Sequence, residues 1–191
     1  KITAEGLNAI VPEGPHKGFA ALTLLATGPD MVGLLNSDAD LRGKITAEGL
    51  NAIIPAGSYK GFSALSFLAN EPDMIGLLNS DVDLRGKITK EGLNAVVVEG
   101  PMKGTSALFF LTGFSEGKQL LRDNAELRGK ITKEGLNAVV AEGEHKGKSA
   151  LWCLAGTSEG RRLLTSYPEL RGKITKEGLN AIVADGVLKG F

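Results

Sequence analysis

The chain has 191 residues, of which 42% are hydrophobic and 23% are charged, a composition typical of a folded protein and not of a disordered one. Its 22 basic and 22 acidic residues cancel to a net charge of zero, which argues against a dedicated nucleic-acid binder and against a polybasic membrane anchor. The single Cys153 excludes an internal disulfide, and neither a membrane-length apolar run nor a secretory signal is present. These features favour a cytoplasmic protein.

The sequence Lys-Ile-Thr recurs every 43 residues, and this period organises the whole chain. Four full copies occupy 1–43, 44–86, 87–129 and 130–172, and a partial fifth copy occupies 173–191. In the full copies, 19 of the 43 positions hold a single residue type. A period of this size is typical of stacked repeat proteins, so we predict one repeat domain over 1–191. Because the chain opens on Lys1 and not on Met, we interpret it as a fragment or a processed chain.

The first part of each copy predicts a short finger. In the fifth copy the β-rich run 179–184 meets Asp-Gly at 185–186, which is a strong signal for a tight turn. Pro12 and Pro55 precede the equivalent turn in the first two copies and restrict the run to a short, edge-like strand. We therefore expect a β-hairpin-like finger in each copy.

The helices that follow the finger are clearest in the fourth copy. Leu151, Leu154 and Ala155 have the i, i+3, i+4 spacing of one helix face. The Ser-Glu pair at 158–159 favours the start of a second helix. The segment 166–169 has the form of a capping box, which predicts that the second helix kinks or restarts as a short third one.

No copy can bury its apolar face alone, but stacked copies would share one continuous core. The predicted core residues of the first copy, with their equivalents in the others, are Leu22, Leu25, Leu34, Leu35 and Leu41. A β-propeller is disfavoured because each copy offers at most one pair of strands. The predicted fold class is mostly α: an α-solenoid of stacked helical repeats with short β-hairpin-like fingers.

Two segments of the copy resemble ankyrin repeats. Gly-Leu-Asn-Ala at 178–181 resembles the Gly-Ala-Asp-Val-Asn-Ala stretch of that family, and Lys-Gly-Thr-Ser-Ala-Leu at 103–108 resembles its Asp-Gly-x-Thr-Pro-Leu-His helix opening. Ankyrin repeats are about ten residues shorter. The array of 43-residue copies is also similar to degenerate ankyrin-like arrays in effector proteins of intracellular bacteria. The resemblance implies a non-catalytic scaffold that binds a protein partner, in the cytoplasm or after delivery into a host cell.

A fainter resemblance is to the DNA-reading repeats of transcription-activator-like effectors, which carry two variable residues in a turn. Positions 15 and 16 of the copy vary here. However, Met102 and Leu188 are poor base readers, and zero net charge is a weak basis for binding phosphates. A nucleic-acid reader is therefore the alternative function, together with the non-catalytic repeat part of a larger effector enzyme.

The sequence contains no arrangement of residues that indicates catalysis. His16 and His145 share one position of the finger, and neither has a visible nucleophile or carboxylate partner. Cys153 occupies a position that holds Leu or Phe in other copies, which is typical of a core or groove residue. We expect no enzymatic activity, no cofactor and no metal site.

Variable positions predict where a partner would bind, because the repeated residues of a solenoid form its core. Aromatic, Met, His and Lys side chains gather at variable positions of the third and fourth copies, and such side chains are typical of protein interfaces. The candidate partner-binding residues are Met102, Phe109, His145, Lys148, Trp152, Arg161 and Arg162. The alternative is that Phe109 and Trp152 only fill gaps between copies.

Charge divides the chain into two halves. Residues 1–86 carry a net charge of −4, and residues 87–191 carry +4. Such a dipole would orient a protein partner, and it would equally favour head-to-tail association of chains. The recurring Glu5, Lys17 and Arg42 predict a ladder of ion pairs between successive copies.

Overall fold

The computed structural model describes residues 2–26, 28–57, 59–100 and 102–180, and it is mostly helical. The first copy contains α1 (Ala4–Asn8), α2 (Ala21–Ala26), α3 (Pro29–Ser37) and α4 (Ala39–Lys44), and the second contains α5 (Ala47–Asn51), α6 (Ala64–Leu68), α7 (Pro72–Ser80) and α8 (Val82–Gly86). The third contains α9 (Lys90–Asn94), α10 (Ala107–Gly113), α11 (Ser115–Asp123) and α12 (Ala125–Lys130), and the fourth α13 (Lys133–Asn137), α14 (Ala150–Ala155), α15 (Ser158–Ser166) and α16 (Pro168–Arg171). The partial copy contributes α17 (Lys176–Leu179).

The predicted restart of a helix is confirmed, but the predicted capping box at 166–169 is wrong, because α16 begins after Tyr167, which makes no side-chain cap. In the first three copies the residue at the same position ends one helix and caps the next. In the second copy the Asp81 N–H donates to the Leu77 carbonyl at the end of α7, at 2.8 Å. Its carboxylate then accepts from the Leu84 N–H at the start of α8, at 2.9 Å. Asp38 and Asn124 cap the equivalent helices of the first and third copies. A side chain that competes with the helix for backbone donors therefore divides this region into two helices.

The first helix of each copy was not predicted. It is a single turn that begins where a Thr side chain accepts a backbone hydrogen bond, as Thr46 does from the Gly49 N–H at 3.0 Å. Gly and Asn within the turn lower its intrinsic helix propensity, so local sequence gives only a weak signal. The helix exists because its residues also bind the neighbouring copy.

The fingers connect the first and second helices of each copy, at 9–20, 52–63, 95–106 and 138–149. Two backbone hydrogen bonds close the second one: Ile54 N–H to the Phe62 carbonyl at 2.8 Å, and Gly61 N–H to the Ile54 carbonyl at 2.9 Å. The hairpin-like shape is as predicted, but the predicted strand is wrong, since the described residues contain only one isolated bridge, between Ile10 and Ala20. The two legs are too short to extend a ladder. The part of the fifth finger at 181–186 lies outside the described residues.

Equivalent helices of successive copies pack side by side. The first helices form a row from α1 through α5, α9 and α13 to α17, the second helices a row from α2 to α14, and the third helices a row from α3 to α15. Apolar side chains from these rows merge into one cluster of buried residues that continues through all four full copies. Neighbouring copies therefore share their core.

Most of the predicted core leucines are buried, but Leu34 is not. Leu22, Leu35 and Leu41 are at most 2% exposed, whereas Leu34 is 40% exposed. Its equivalents Leu77, Leu120 and Leu163 are all buried, at 7%, 1% and 2%. The later copies each have a neighbour before them in the described chain and the first has none, so the prediction is wrong for Leu34. Leu25 and Leu164 are only half-buried, packed against the core.

The junction between copies is built on one asparagine. Asn51 donates through Nδ2 to the Ala47 carbonyl at 2.6 Å and to the Lys87 carbonyl of the next copy at 2.8 Å. Its Oδ1 accepts from the Thr89 N–H of the next copy at 3.0 Å. Asn8, Asn94 and Asn137 repeat the same three bonds at the other junctions. These four residues form an asparagine ladder along the row of first helices.

Glycine in the first helix makes room for this ladder. A Cβ at Gly92 would overlap the Asn51 Oδ1, and a Cβ at Gly135 would overlap that of Asn94. Glycine in the finger has a second reason, because Gly61 has φ +94° and a Cβ there would lie 2.6 Å from the Val97 Cα of the next copy. The glycines at positions 6 and 18 of the copy therefore mark places where successive copies touch closely.

Ion pairs add a second set of links between copies, as the recurring basic residues predicted. Arg42 contacts Asp81 at 2.7 Å, and Arg128 contacts Glu169 at 2.9 Å while its guanidinium lies 3.6 Å from the centre of the Tyr167 ring. In the fingers, Lys60 contacts Glu99 at 2.6 Å. The prediction had paired the basic residues with the Glu at position 5 of the copy. Their acidic partners are instead Asp81, Glu99 and Glu169, which lie at other positions.

The ladder predicts strong coupling between Asn51 and Gly92. Gly92→Ala is expected to lower the free energy of unfolding by about 1–3 kcal/mol, because the new methyl displaces the asparagine amide. In an Asn51→Ala background the same change should cost clearly less, since the overlapping Oδ1 and Cγ are gone and only the Cβ of residue 51, 2.7 Å away, still has to shift. Urea denaturation of the two single variants and the double variant measures the coupling.

Gly6→Ala is the matched control. Gly6 occupies the same helical position, but no asparagine precedes it, and the atom nearest a Cβ there is the Thr3 Oγ1 at 3.3 Å. We expect its free energy of unfolding to be unchanged within about 0.5 kcal/mol, or raised by the better helix propensity of alanine. Equal losses in Gly6→Ala and Gly92→Ala would contradict the ladder.

Candidate functional site

Two neighbouring helices and one finger bring variable residues of the third and fourth copies together. On α10, the Ser106 Oγ accepts from the Phe109 N–H at 3.1 Å, and on α14 the Ser149 Oγ accepts from the Trp152 N–H at 3.1 Å. These caps fix the first turn of each helix, and α10 packs directly against α14. Phe109 and Trp152 occupy the same position of their copies, so the same kind of serine cap fixes the backbone that carries both rings.

Four of the predicted partner-binding residues line one cavity of about 270 Å³. Phe109 and Trp152 come from the helices, while His145 and Lys148 come from the fourth finger. The remaining walls are Asn70, Phe110, Gly113, Phe114 and Cys153. We call this the aromatic cavity. Phe110 and Phe114 were not predicted as site residues. The signal that could have identified them is that they are aromatic and lie in the same copy as Phe109.

The side chains of the aromatic cavity contact one another. The His145 ring centre lies 5.4 Å from that of Phe109, with the planes inclined by 50°. The Lys148 Nζ lies 5.4 Å from the centre of the Trp152 ring, within cation–π range. Phe109 is only 5% exposed, so it forms an inner wall and belongs to the core as well. Trp152 is half-buried and remains accessible from the cavity.

The structure places the other three predicted residues elsewhere. Met102 is half-buried against the core and its carbonyl accepts from the Thr105 hydroxyl at 2.7 Å, so it lies in the third finger and does not line the aromatic cavity. Arg161 and Arg162 are exposed on α15. Arg162 lines a different cavity of about 340 Å³, together with Arg122 and Glu159. The seven predicted residues therefore do not form a single surface.

Burial and the neighbouring charge of Lys148 disfavour a protonated His145 in the aromatic cavity. Burial lowers the pKa of His145 below its ordinary value of 6.5, the Lys148 ammonium lowers it further, and Glu144 acts in the opposite direction. The His145 Nδ1 is buried and has no hydrogen-bond partner among the described residues. Such an unpaired atom costs about 1–3 kcal/mol. A neutral imidazole therefore lines the cavity at neutral pH.

Cys153 is held as a thiol. Burial raises its pKa above the ordinary value of 9.0, and this outweighs the opposite effects of the Thr112 hydrogen bond and of Lys118 and Lys148. A thiol in this form is a poor nucleophile at neutral pH. Its contribution to the aromatic cavity is to occupy little space beside the larger rings.

The cavity lies at one end of a continuous row of rings. From the first finger, His16 contacts Phe19 at 5.9 Å, and Phe19 contacts Tyr59 at 6.0 Å. The row continues through the second copy and reaches Phe109 and His145 by ring contacts of 5.0 to 6.3 Å. Phe19 and Phe62 stand at a variable finger position, which was expected to face a partner, but both rings are buried within the array.

The chain matches no protein-family model, and comparisons with curated proteins and with solved structures give no match. None of the helices in the described part of the chain is long and apolar enough to cross a membrane. Among the same residues there is no group of three or more His, Cys, Asp or Glu side chains placed to hold a metal ion. The function is therefore argued from the geometry of the chain itself.

The charges around His145 predict how its titration responds to substitution. Lys148→Gln should raise the pKa of His145 because it removes a nearby positive charge, and Glu144→Gln should lower it because it removes a negative one. Proton NMR titration of the imidazole measures both shifts. Lys133→Gln, a change on α13 away from the cavity, serves as the control and should leave the titration unchanged.

The lowered pKa of His145 predicts that the folded chain loses stability in mild acid. The unfolded chain takes up a proton on this imidazole as the pH falls below about 6.5, before the folded chain does. The contribution of His145 is therefore complete above that pH and is lost as the pH falls towards the lower folded pKa. A His145→Gln variant with the same pH dependence of unfolding as the parent would contradict this assignment.

Proposed function

We propose that the chain is a non-catalytic protein-interaction scaffold, an α-solenoid of ankyrin-like repeats. Its protein partner binds across α10, α14 and the fingers that precede them. The observation that carries the proposal is the aromatic cavity, in which Phe109, His145, Lys148 and Trp152 meet at variable positions of the copy. The ankyrin resemblance supports a protein partner and a cytoplasmic setting, in a bacterium or in a host cell that receives the protein.

The distribution of repeated and variable residues supports a binding role for the cavity. Repeated residues form the ladder, the caps and most of the core, whereas the cavity combines a half-buried Trp with a Lys and a His. Tryptophan is among the residues that contribute most to protein interfaces, above all where surrounding contacts exclude water. Because serine caps hold Phe109 and Trp152 in place, a partner would lose little entropy in ordering them.

A nucleic-acid reader is the second candidate, and the charge of residues 87–191 is the observation in its favour. Arg161 and Arg162 are exposed there, but Arg161 already donates to the Ala155 carbonyl at 2.9 Å. The cavity walls are mainly aromatic, which suits a side chain better than a phosphate backbone. The geometry therefore favours a protein partner.

Truncation of Trp152 tests the proposal. Peptides selected from a phage-displayed random library against the intact chain should bind Trp152→Ala at least about 30-fold more weakly, the loss expected for an interface hot spot. The melting temperature should fall only slightly, because the side chain is half-buried. Leu24→Ala, which truncates a 49% exposed leucine in the first copy, should leave peptide affinity unchanged.

Two results would contradict the scaffold. In the first, Trp152→Ala is destabilised but its folded fraction binds the selected peptides normally, which would make Trp152 a gap-filling residue. In the second, the chain binds random-sequence duplex DNA with an affinity that falls steeply as salt rises, which would favour the nucleic-acid reader. We expect weak DNA binding at low salt that is unaffected by Trp152→Ala.

A further inference from the structure

The second copy shows what fills the equivalent of the aromatic cavity elsewhere in the array. There, Phe62 in the finger stacks on Phe67 of α6, with ring centres 5.0 Å apart and planes inclined by 26°. The same two positions of the fourth copy hold Lys148 and Cys153. Two phenyl rings are thus replaced by a flexible cation and a small thiol, and both replacements line the cavity. The cavity occupies space that aromatic rings fill in the second copy.

The remaining walls are suited to an aromatic side chain. Phe109, Phe110, Phe114 and Trp152 present rings to the cavity, and aromatic pairs gain from offset or edge-to-face contact. Its volume of about 270 Å³ lies just below the range of roughly 300–1,000 Å³ that drug-sized ligands occupy. The cavity therefore fits one side chain of a partner and not a whole secondary-structure element.

The polar groups of the cavity indicate which charge the partner carries next to its aromatic side chain. Lys148 forms no ion pair within the described part of the chain, and no acidic residue lines the cavity. The half of the chain that contains the cavity also carries the +4 charge. A carboxylate beside the ring would complement this ammonium.

We propose that the aromatic cavity binds an acidic segment of a protein partner, with a Phe or Tyr side chain placed between the Phe110 and Trp152 walls and an adjacent Asp or Glu carboxylate paired with Lys148. The inference rests on the proposed scaffold function and specifies its partner. The ring extends the aromatic row beyond Phe109 and His145, and the carboxylate supplies an ion-pair partner for Lys148.

Blocked dipeptides test the two parts of this specificity separately. The probes are acetyl-Asp-Phe-amide, its neutral analogue acetyl-Asn-Phe-amide and its ring-free analogue acetyl-Asp-Ala-amide, each titrated into the intact chain up to millimolar concentration. Trp152 is the only tryptophan in the sequence, so its fluorescence reports on this cavity alone. We expect acetyl-Asp-Phe-amide to bind about threefold to fivefold more tightly than the neutral analogue. The ring-free analogue should not bind detectably.

Two variants connect binding to the residues named. Lys148→Gln should abolish the preference for Asp over Asn while binding of the phenyl ring remains. Cys153→Phe installs the residue that stands at this position in the second and third copies, as Phe67 and Phe110. It should fill the cavity and abolish binding of every dipeptide without lowering the melting temperature. The melting temperature is measured in parallel, so a folding defect is distinguished from a blocked site.

Four results would overturn the inference. They are equal affinity for the Asp and Asn peptides, unchanged binding by Cys153→Phe, no fluorescence response to any dipeptide, and concentration-dependent dimerisation in sedimentation that Cys153→Phe abolishes. The last would identify a second copy of the chain as the occupant. None of the first three results would contradict the proposed scaffold function, because phage-selected peptides whose binding depends on Trp152 would still bind. That function is contradicted instead if Trp152→Ala leaves the binding of the phage-selected peptides unchanged.

Discussion

One asparagine side chain at each junction holds neighbouring copies at a fixed distance. Its amide nitrogen donates to the carbonyl of the first residue of its own helical turn and to a carbonyl of the next copy, while its oxygen accepts from the N–H of the threonine that starts the next turn. These bonds leave no space between the turns, and the glycine of each following turn, at 49, 92, 135 and 178, lies against the asparagine of the turn before it. A buried polar group that is fully bonded in one arrangement is unpaired in any other, so the ladder specifies the register of stacking as well as stabilising it.

Because the ladder and the shared core determine the spacing, the fingers and second helices can vary without altering the array. The second copy uses this freedom to stack Phe62 on Phe67, and the fourth copy replaces both rings and opens a cavity. The backbone device around each position is the same, since closely similar hydrogen bonds close each finger and serine caps hold the second helices of the second to fourth copies. A few side-chain changes on an unchanged backbone therefore convert a packed position into a candidate binding site.

The sequence allowed the period, the later helices of each copy and most of the core to be predicted, because these depend on apolar spacing and local capping. It did not reveal the first helix or the ladder, since the Gly and Asn that form them are read locally as turn residues. Leu34 shows a related limit: its spacing is that of a core residue, but its burial depends on a neighbour that the first copy lacks. Of the predicted partner-binding residues, Phe109, His145, Lys148 and Trp152 line one cavity, whereas Arg161 and Arg162 lie on another helix row, which only the stacking determines.

The ladder can be observed directly by amide hydrogen exchange. The N–H of Thr89 donates to Asn51 of the preceding copy, whereas Thr3 occupies the same position with no preceding copy. We expect the Thr89 amide to be protected nearly as well as the buried helices around it, and the Thr3 amide to exchange freely. In Asn51→Ala, protection should be lost at Thr89 and retained at Thr46, whose partner is Asn8. Exchange at Thr89 as fast as at Thr3 in the unmodified chain would contradict the account.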